Sequence, residues 1–250
     1  MLKRERHNYI LEEIRFSNKV ISSELCQQLR VSEDTIRRDL KELSDNGKIL
    51  KVHGGAMATS SYIPFSHRDR EIHAHEEKVV IVKKALSLVQ EDQVILMDGG
   101  TTNLEFVRLL PQELKATIFT NSLPVATQLA DHPQVEIILL GGKIIKNAQV
   151  SVGFDVINVV KEVQADLCFV GTRSIHANKG LTDINREEVM VKRALMNASS
   201  KVVSLCISEK LDTIQSYHIH ATSKVDLLIT ELDPSNPRLY AYINKGIEIL

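Results

Sequence analysis

Six short apolar runs place the tightest limit on how this chain can fold. They fall at residues 94–97, 117–120, 135–140, 167–170, 202–207 and 225–229, with helical patterns at 78–89, 103–110, 124–130 and 187–198 between most of them. Strands that alternate with helices predict an α/β domain with a mainly parallel sheet covered on both faces. About 170 residues are ample for one such core. The runs begin only after residue 90, so the first part of the 250-residue chain needs a separate account.

That first part reads as three short helices and a hairpin. In residues 2–16, Ile10, Leu11 and Ile14 share one face. Ser22 is placed to cap a second helix, with Leu25 and Leu29 facing inward. Ser32 is placed to cap a third, whose Ile36, Leu40 and Leu43 form a narrow apolar stripe. Asn46-Gly47 ends it. Residues 48–53 then alternate weakly and break at Gly54-Gly55, as a short wing would. Residues 59–76 carry Pro64 and a polar run without clear periodicity, and read as a linker. The expected division is a winged helix-turn-helix at 1–58, the linker at 59–76, and a sensing and oligomerisation domain at 77–250.

Composition adds exclusions. The net charge is −1, with residues 1–60 at +2 and the remainder at −3, so charge alone names no partner. Cys26, Cys168 and Cys206 are far apart and form no Cys-x-x-Cys pair, which argues against a disulfide framework or a cysteine metal site. His73-x-His75 and His218-x-His220 have no carboxylate or cysteine at ligand spacing, so no metal is expected. The amino terminus is charged and amphipathic, and no apolar stretch approaches a membrane span. A cytoplasmic location without membrane contact is the expectation.

The third helix carries the first functional pattern. Arg37, Arg38 and Lys41 project opposite its apolar stripe. A helix entering the major groove needs a packed back and long donors in front, and arginine can pair two donors with guanine O6 and N7. Arg37 and Arg38 are therefore candidates for base edges. Ser32 and Thr35 can reach phosphate oxygens at the helix start, and Lys41, Lys51 and His53 are candidates for backbone contacts. The plain alternative is a solvated helix face; the tight turn before the helix and the basic hairpin after it weigh against that.

A second pattern lies at the strand ends. Asp98-Gly-Gly-Thr-Thr102 follows a strand and opens a helix, which suits close approach of an anion. Tight turns use the same residues. Thr120-Asn-Ser122, Gly141-Gly142 and Gly171 close other strands, and ligands of parallel sheets bind at those ends.

Val31-Ser-Glu-Asp-Thr-Ile-Arg-Arg-Asp-Leu-Lys-Glu-Leu43, then Gly47 and His53-Gly-Gly-Ala56, closely resembles the signature of DeoR-type regulators of sugar metabolism. The resemblance continues through Pro64-Phe-Ser-His-Arg68 and Glu77-Lys78 into the C-terminal part. It implies a repressor that binds double-stranded operator DNA, needs no cofactor, assembles as a homo-oligomer, and has a sensor domain similar to sugar-phosphate isomerases. It also implies a phosphorylated sugar effector held by Arg68, Asp98, Gly100, Thr101, Thr102, Asn121, Ser122, Gly142 and Lys210. The family often shows Asp-x-x-Lys late in the domain, where this chain has Ile207-Ser-Glu-Lys210. An isomerase-like enzyme with an accessory helix-turn-helix is the competing reading. It would need an acid/base pair, for which Asp98 and Glu187 or Glu188 are the candidates. A protein-interaction module explains neither Arg37-Arg38 nor the glycine-rich strand ends.

Overall fold

The computed structural model describes residues 2–17, 19–46, 48–58 and 67–250. Gly47 and residues 59–66, expected to end the third helix and to form the first half of the linker, lie outside the described residues. The chain divides into two compact units, 1–65 and 66–250.

The smaller unit runs α1 (Lys3–Ser17), β1 (Lys19–Ile21), α2 (Ser22–Leu29), α3 (Glu33–Asp45), β2 (Ile49–Val52) and β3 (Gly55–Ala58). Ile10, Ile14, Leu25, Ile36, Leu40, Leu43, Ile49 and Ala56 form its core. Two local expectations change. The segment before α2 is a strand, and Ile21 rather than Ser22 stands at the N-cap of α2, with no side-chain cap. Ser22 instead donates its backbone N–H to Gly54 O at 2.8 Å, tying the helix start to the wing turn. The two glycines of that turn do different work. Gly54 has φ +79, and a Cβ on Gly55 would lie 1.9 Å from Val20 O, so only glycine lets β3 pair with β1 there.

The larger unit begins with α4 (His67–Ile72) and α5 (His75–Ala85). The second half of the expected linker is thus helical and belongs to this unit. Six charged-rich residues are too few to show a helical period in sequence. Then follow β4 (Val94–Met97), α6 (Thr101–Arg108), β5 (Ala116–Thr120), α7 (Leu123–Leu129), β6 (Val135–Leu139), β7 (Lys143–Ile145), β8 (Val150–Val152) and α8 (Phe154–Lys161). The chain continues with β9 (Ala165–Gly171), β10 (Ser174–His176), β11 (Gly180–Asp183), α9 (Arg186–Asn197), β12 (Ser199–Leu205), β13 (Tyr217–His220), β14 (Leu227–Ile229), α10 (Tyr240–Ile243) and β15 (Glu248–Ile249).

Seven strands form one sheet in the order β15-β14-β12-β9-β4-β5-β6, and every adjacent pair is parallel. Alternation sorts the side chains. Ile95 and Met97 of β4 join Ile81, Phe106, Val107 and Val125 from α5, α6 and α7. Leu96 points the other way, to Val156, Val160, Val189 and Leu195 from α8 and α9. The strand order runs outward in both directions from β4 and β9. The crevice at their carboxyl ends is a topological switch point, where open α/β sheets bind ligands.

Candidate functional site

In the smaller unit, α3 is capped and exposes the side chains expected of it. Ser32 caps the helix: its Oγ accepts from Thr35 N at 3.3 Å and lies 2.9 Å from Thr35 Oγ1. Arg37, Arg38 and Lys41 are exposed, as are Lys51 and His53 on the wing. Asp34 stands between the arginines. Its Oδ2 lies 2.6 Å from Arg38 Nη2, and its Oδ1 accepts from Arg37 Nη2. On the opposite side, buried Asp39 accepts from Arg6 Nε at 2.8 Å and from Arg6 Nη2 at 3.3 Å, and lies 3.1 Å from His7 Nε2. That clasp pins α3 to α1 and raises the Arg6 pKa through the hydrogen bond. The arrangement offers a packed, oriented helix with cations forward, flanked by a basic hairpin.

In the larger unit, the β4–β9 crevice is built around Asp98. The carboxylate is buried; Oδ1 accepts from Gly171 N at 2.6 Å and from Asn103 Nδ2 at 2.8 Å. Asn103 also donates to Phe169 O at 3.2 Å. Lys192 of α9 closes the other side, with Nζ 3.3 Å from Asp98 Oδ2, 2.9 Å from Asp183 Oδ2 and 2.7 Å from Gly171 O. One ammonium therefore joins the ends of β4, β9 and β11. Burial lifts the Asp98 carboxyl to about 6 against the pull of Lys192. The Lys192 ammonium, in turn, holds Asp183 below the usual carboxylate range despite its burial. A Cβ on Gly171 would come within 2.8 Å of Gly99 O, so the strand ends approach as closely as backbone allows.

A cationic cluster gathers beside this keystone. Lys210 is half-buried, and burial together with Arg173, Arg70 and Lys192 lowers its pKa to about 8. Lys78 is buried, and desolvation, Lys210 and Arg70 lower it to about 8 as well. Lys78 donates to Arg70 O and His73 O, closing the end of α4. Glu188 faces the same group, and burial beside Asp183 raises its pKa.

The expected ligand residues separate into groups. Thr101 and Thr102 are buried in the first turn of α6, and Thr101 Oγ1 donates to Arg70 O at 3.1 Å. Gly100 precedes that turn. Lys210 feels the charges of Arg70 and Lys192, which help to lower its pKa. Asn121 and Ser122 serve the scaffold: Asn121 Nδ2 donates to Ser151 O at 2.7 Å, and Ser122 Oγ caps α7. Gly142 packs against β8, where a Cβ would meet Val152 O at 2.6 Å. Arg68 is exposed and lines a different cleft of about 590 Å³ with His67, Glu71 and Arg108. Residues two apart on a helix diverge by about 200°, so Arg68 and Arg70 of α4 point to different sides. Arg70, Lys78, Arg173 and Lys192 escaped the sequence reading. For Lys78 a signal existed: it falls in the apolar stripe of Ile81, Val82 and Ala85. Ile207, where the family often has Asp, is buried in the core, and Ser208 N instead donates to both oxygens of Glu231 at 3.0 Å.

His73 Nε2 lies 2.7 Å from Glu209 Oε2, and no cluster of metal-binding side chains occurs among the described residues. No described helix is long and apolar enough to cross a membrane.

Comparison with known proteins agrees with this geometry. Residues 6–62 match the DeoR-like helix-turn-helix domain, and residues 73–232 match the DeoR C terminal sensor domain. The HTH-type transcriptional regulator GolR of Listeria innocua is 36% identical over 237 residues, spanning 94% of this chain and 93% of that protein. The HTH-type transcriptional repressor GlcR of Bacillus subtilis is 31% identical, spanning 100% and 96%. The glycerol-3-phosphate regulon repressor of Escherichia coli is 30% identical, spanning 94% and 93%. Among solved structures, the Pyrococcus horikoshii translation initiation factor eIF-2B shares the fold, with TM-score 0.51 at 16% identity over 91% of this chain and 95% of that one. A winged helix-turn-helix unit, joined in sequence to an α/β sensor unit, is matched along almost its whole length by regulators of one kind: the chain belongs to the DeoR family of helix-turn-helix transcriptional regulators.

Proposed function

We propose that this regulator represses genes of carbohydrate metabolism and is released from its operator by a phosphorylated sugar held in the β4–β9 crevice. The observation that carries the effector class is the pair of amines Lys78 and Lys210, both lowered to about 8 by burial and by their common neighbour Arg70, in the unit whose α4 carbonyl at Arg70 accepts from Thr101 Oγ1. An anion entering beside Lys78 and Lys210 would favour the charged form of both amines. A phosphate there would meet the first turn of α6, where Gly100, Thr101 and Thr102 supply close backbone, and Lys210 would take the charge. Asp98 and Lys192 shape the floor of that site, and Asn121, Ser122 and Gly142 hold its wall. Arg70 takes the role that the family resemblance gives to Arg68. On the DNA side, Arg37 and Arg38 read bases, while Ser32, Thr35, Lys41, Lys51 and His53 touch the backbone. A single winged unit reads few base pairs, so the chain acts as a homo-oligomer on repeated half-sites, in the cytoplasm.

The test is a thermal-shift screen of wild type and Lys210→Met against matched free and phosphorylated sugars, followed by release of bound DNA with the hits. Stabilisation by phosphorylated forms alone, lost in Lys210→Met, is the expected result. Equal response to free sugars, or an unaltered response in the variant, refutes the phosphate site.

A further inference from the structure

We propose that Asp34 is a specificity-determining residue of the DNA-reading helix: it holds Arg37 and Arg38 in register for base edges and withholds their charge from phosphates. This rests on the reading of those two arginines as base contacts.

One carboxylate serves both side chains. Its two oxygens are divided, Oδ1 to Arg37 Nη2 and Oδ2 to Arg38 Nη2. The spacing makes this possible, because residues three and four further along a helix lie on the same side. The guanidinium groups remain forward, with side chains 70% and 80% exposed. Each guanidinium has five N–H donors. Engaging Asp34 leaves enough for the two parallel bonds that guanine O6 and N7 accept.

Two consequences follow. Long side chains that are already oriented lose less freedom when they dock, which favours the contact needing defined geometry. The reading turn is also neutral as a unit, since Glu33 and Asp34 balance Arg37 and Arg38. Its pull on any DNA is small, and sequence-independent attraction is left to Lys41, Lys48 and Lys51. A phosphate that pairs with either arginine also meets the repulsion of the Asp34 carboxylate. A guanine edge can add to the existing pair. Asp34 thus separates specific from non-specific binding without touching a base itself.

The adjacent Glu33 provides a charge-matched control. It lies on the same turn, is exposed, and makes no hydrogen bond or ion pair among the described residues. A high-affinity duplex is first selected from a randomised library with the full-length wild-type chain. Binding to that duplex and to a scrambled duplex of equal composition is then measured against salt for wild type, Asp34→Asn, Glu33→Gln, Asp34→Glu and Arg38→Ala, with melting curves to establish folding. Exposed ion pairs are individually weak, so two of them support a change of about three- to tenfold. Asp34→Asn should bind the scrambled duplex more tightly, with a salt slope steeper by about 1, and lose about three- to tenfold in its selected-to-scrambled ratio. Glu33→Gln should raise both affinities together and keep the ratio. Asp34→Glu should regain most of the discrimination. An Asp34→Asn ratio equal to wild type or to Glu33→Gln overturns the proposal, provided Arg38→Ala lowers the ratio. If Arg38→Ala leaves the ratio intact, the base-reading role itself falls and the proposal with it.

Discussion

Replacing Lys192 by Met tests the keystone of the sensor unit. The side chain is 8% exposed and its ammonium serves two carboxylates that are as well buried, Asp98 at 3.3 Å and Asp183 at 2.9 Å. Methionine fills the same volume, so the packing changes little and the loss is electrostatic. Each orphaned carboxylate can escape by taking a proton. At pH 7.5 that costs about 5 kcal/mol for a group of ordinary pKa near 3.9, which is a ceiling per carboxylate. Breaking a buried pair by removing one partner costs about 3–5 kcal/mol in practice, and we expect that loss. At pH 5.5 the ceiling falls to about 2 kcal/mol, because protonation is then easy. In the variant both carboxyls have folded pKa values above their unfolded ones, so stability is retained at low pH and lost as pH rises. Urea unfolding followed by circular dichroism at both pH values reads the difference. At about 2–4 °C per kcal/mol for a unit of this size, melting should fall by about 6–20 °C at pH 7.5. A loss below about 1 kcal/mol at pH 7.5, or one equal at both pH values, would show that Lys192 does not neutralise the crevice.

Three further outcomes are expected. Gly171→Ala should destabilise the sensor unit by about 1–3 kcal/mol in a thermal melt, since the new Cβ meets Gly99 O at 2.8 Å and Asp98 Oδ1 at 3.1 Å; an unchanged melt contradicts that contact. Asp39→Ala should cost the winged unit about 1–3 kcal/mol by removing the acceptor of two Arg6 hydrogen bonds, seen as faster amide exchange in α1 and α3, and protection equal to wild type would count against the clasp. Lys78 and Lys210, held near 8, regain protons when an anion enters, so effector binding at pH 8 should take up protons and weaken by up to about tenfold per pH unit per amine above it. Calorimetry in two buffers of different ionisation heat measures this uptake, and zero uptake removes the lysines from the site. In the absence of ligand the sign reverses for stability: folded pKa values below the unfolded ones make the unit more stable as pH rises from about 8 toward 10.5.

The central sheet was legible because each buried parallel strand writes a run of apolar residues, as Val94–Met97 does for β4. The third helix was legible because its stripe and its Ser32 cap are both local. The hairpin of β7 and β8, the small sheet of β10, β11 and β13, and α4 were not. These elements are three to six residues long, shorter than the window in which a period shows. The glycine turn after β4 and, through the resemblance, Lys210 were read as ligand candidates, whereas Arg70, Lys78 and Arg173 were not. Arg70, Lys78, Arg173 and Lys210 span 140 residues of sequence and meet only through the fold. The resemblance pointed to Arg68, which lines a cleft with His67, Glu71 and Arg108; a six-residue helix supplied no phase with which to weigh it against Arg70.

The three thiols bear on how such a regulator senses its surroundings. Cys168 and Cys206 are fully buried; burial pushes the first well above the ordinary thiol range and the second up to about 12. Cys26, half-buried on α2, is raised too, by desolvation and by Glu33. Peroxides and disulfides react with thiolate, which is scarce at all three positions near neutral pH. Attack by these three thiols on oxidants is therefore disfavoured near neutral pH, and among the described residues the exposed sulfur-bearing side chains are those of Met57 and Met190.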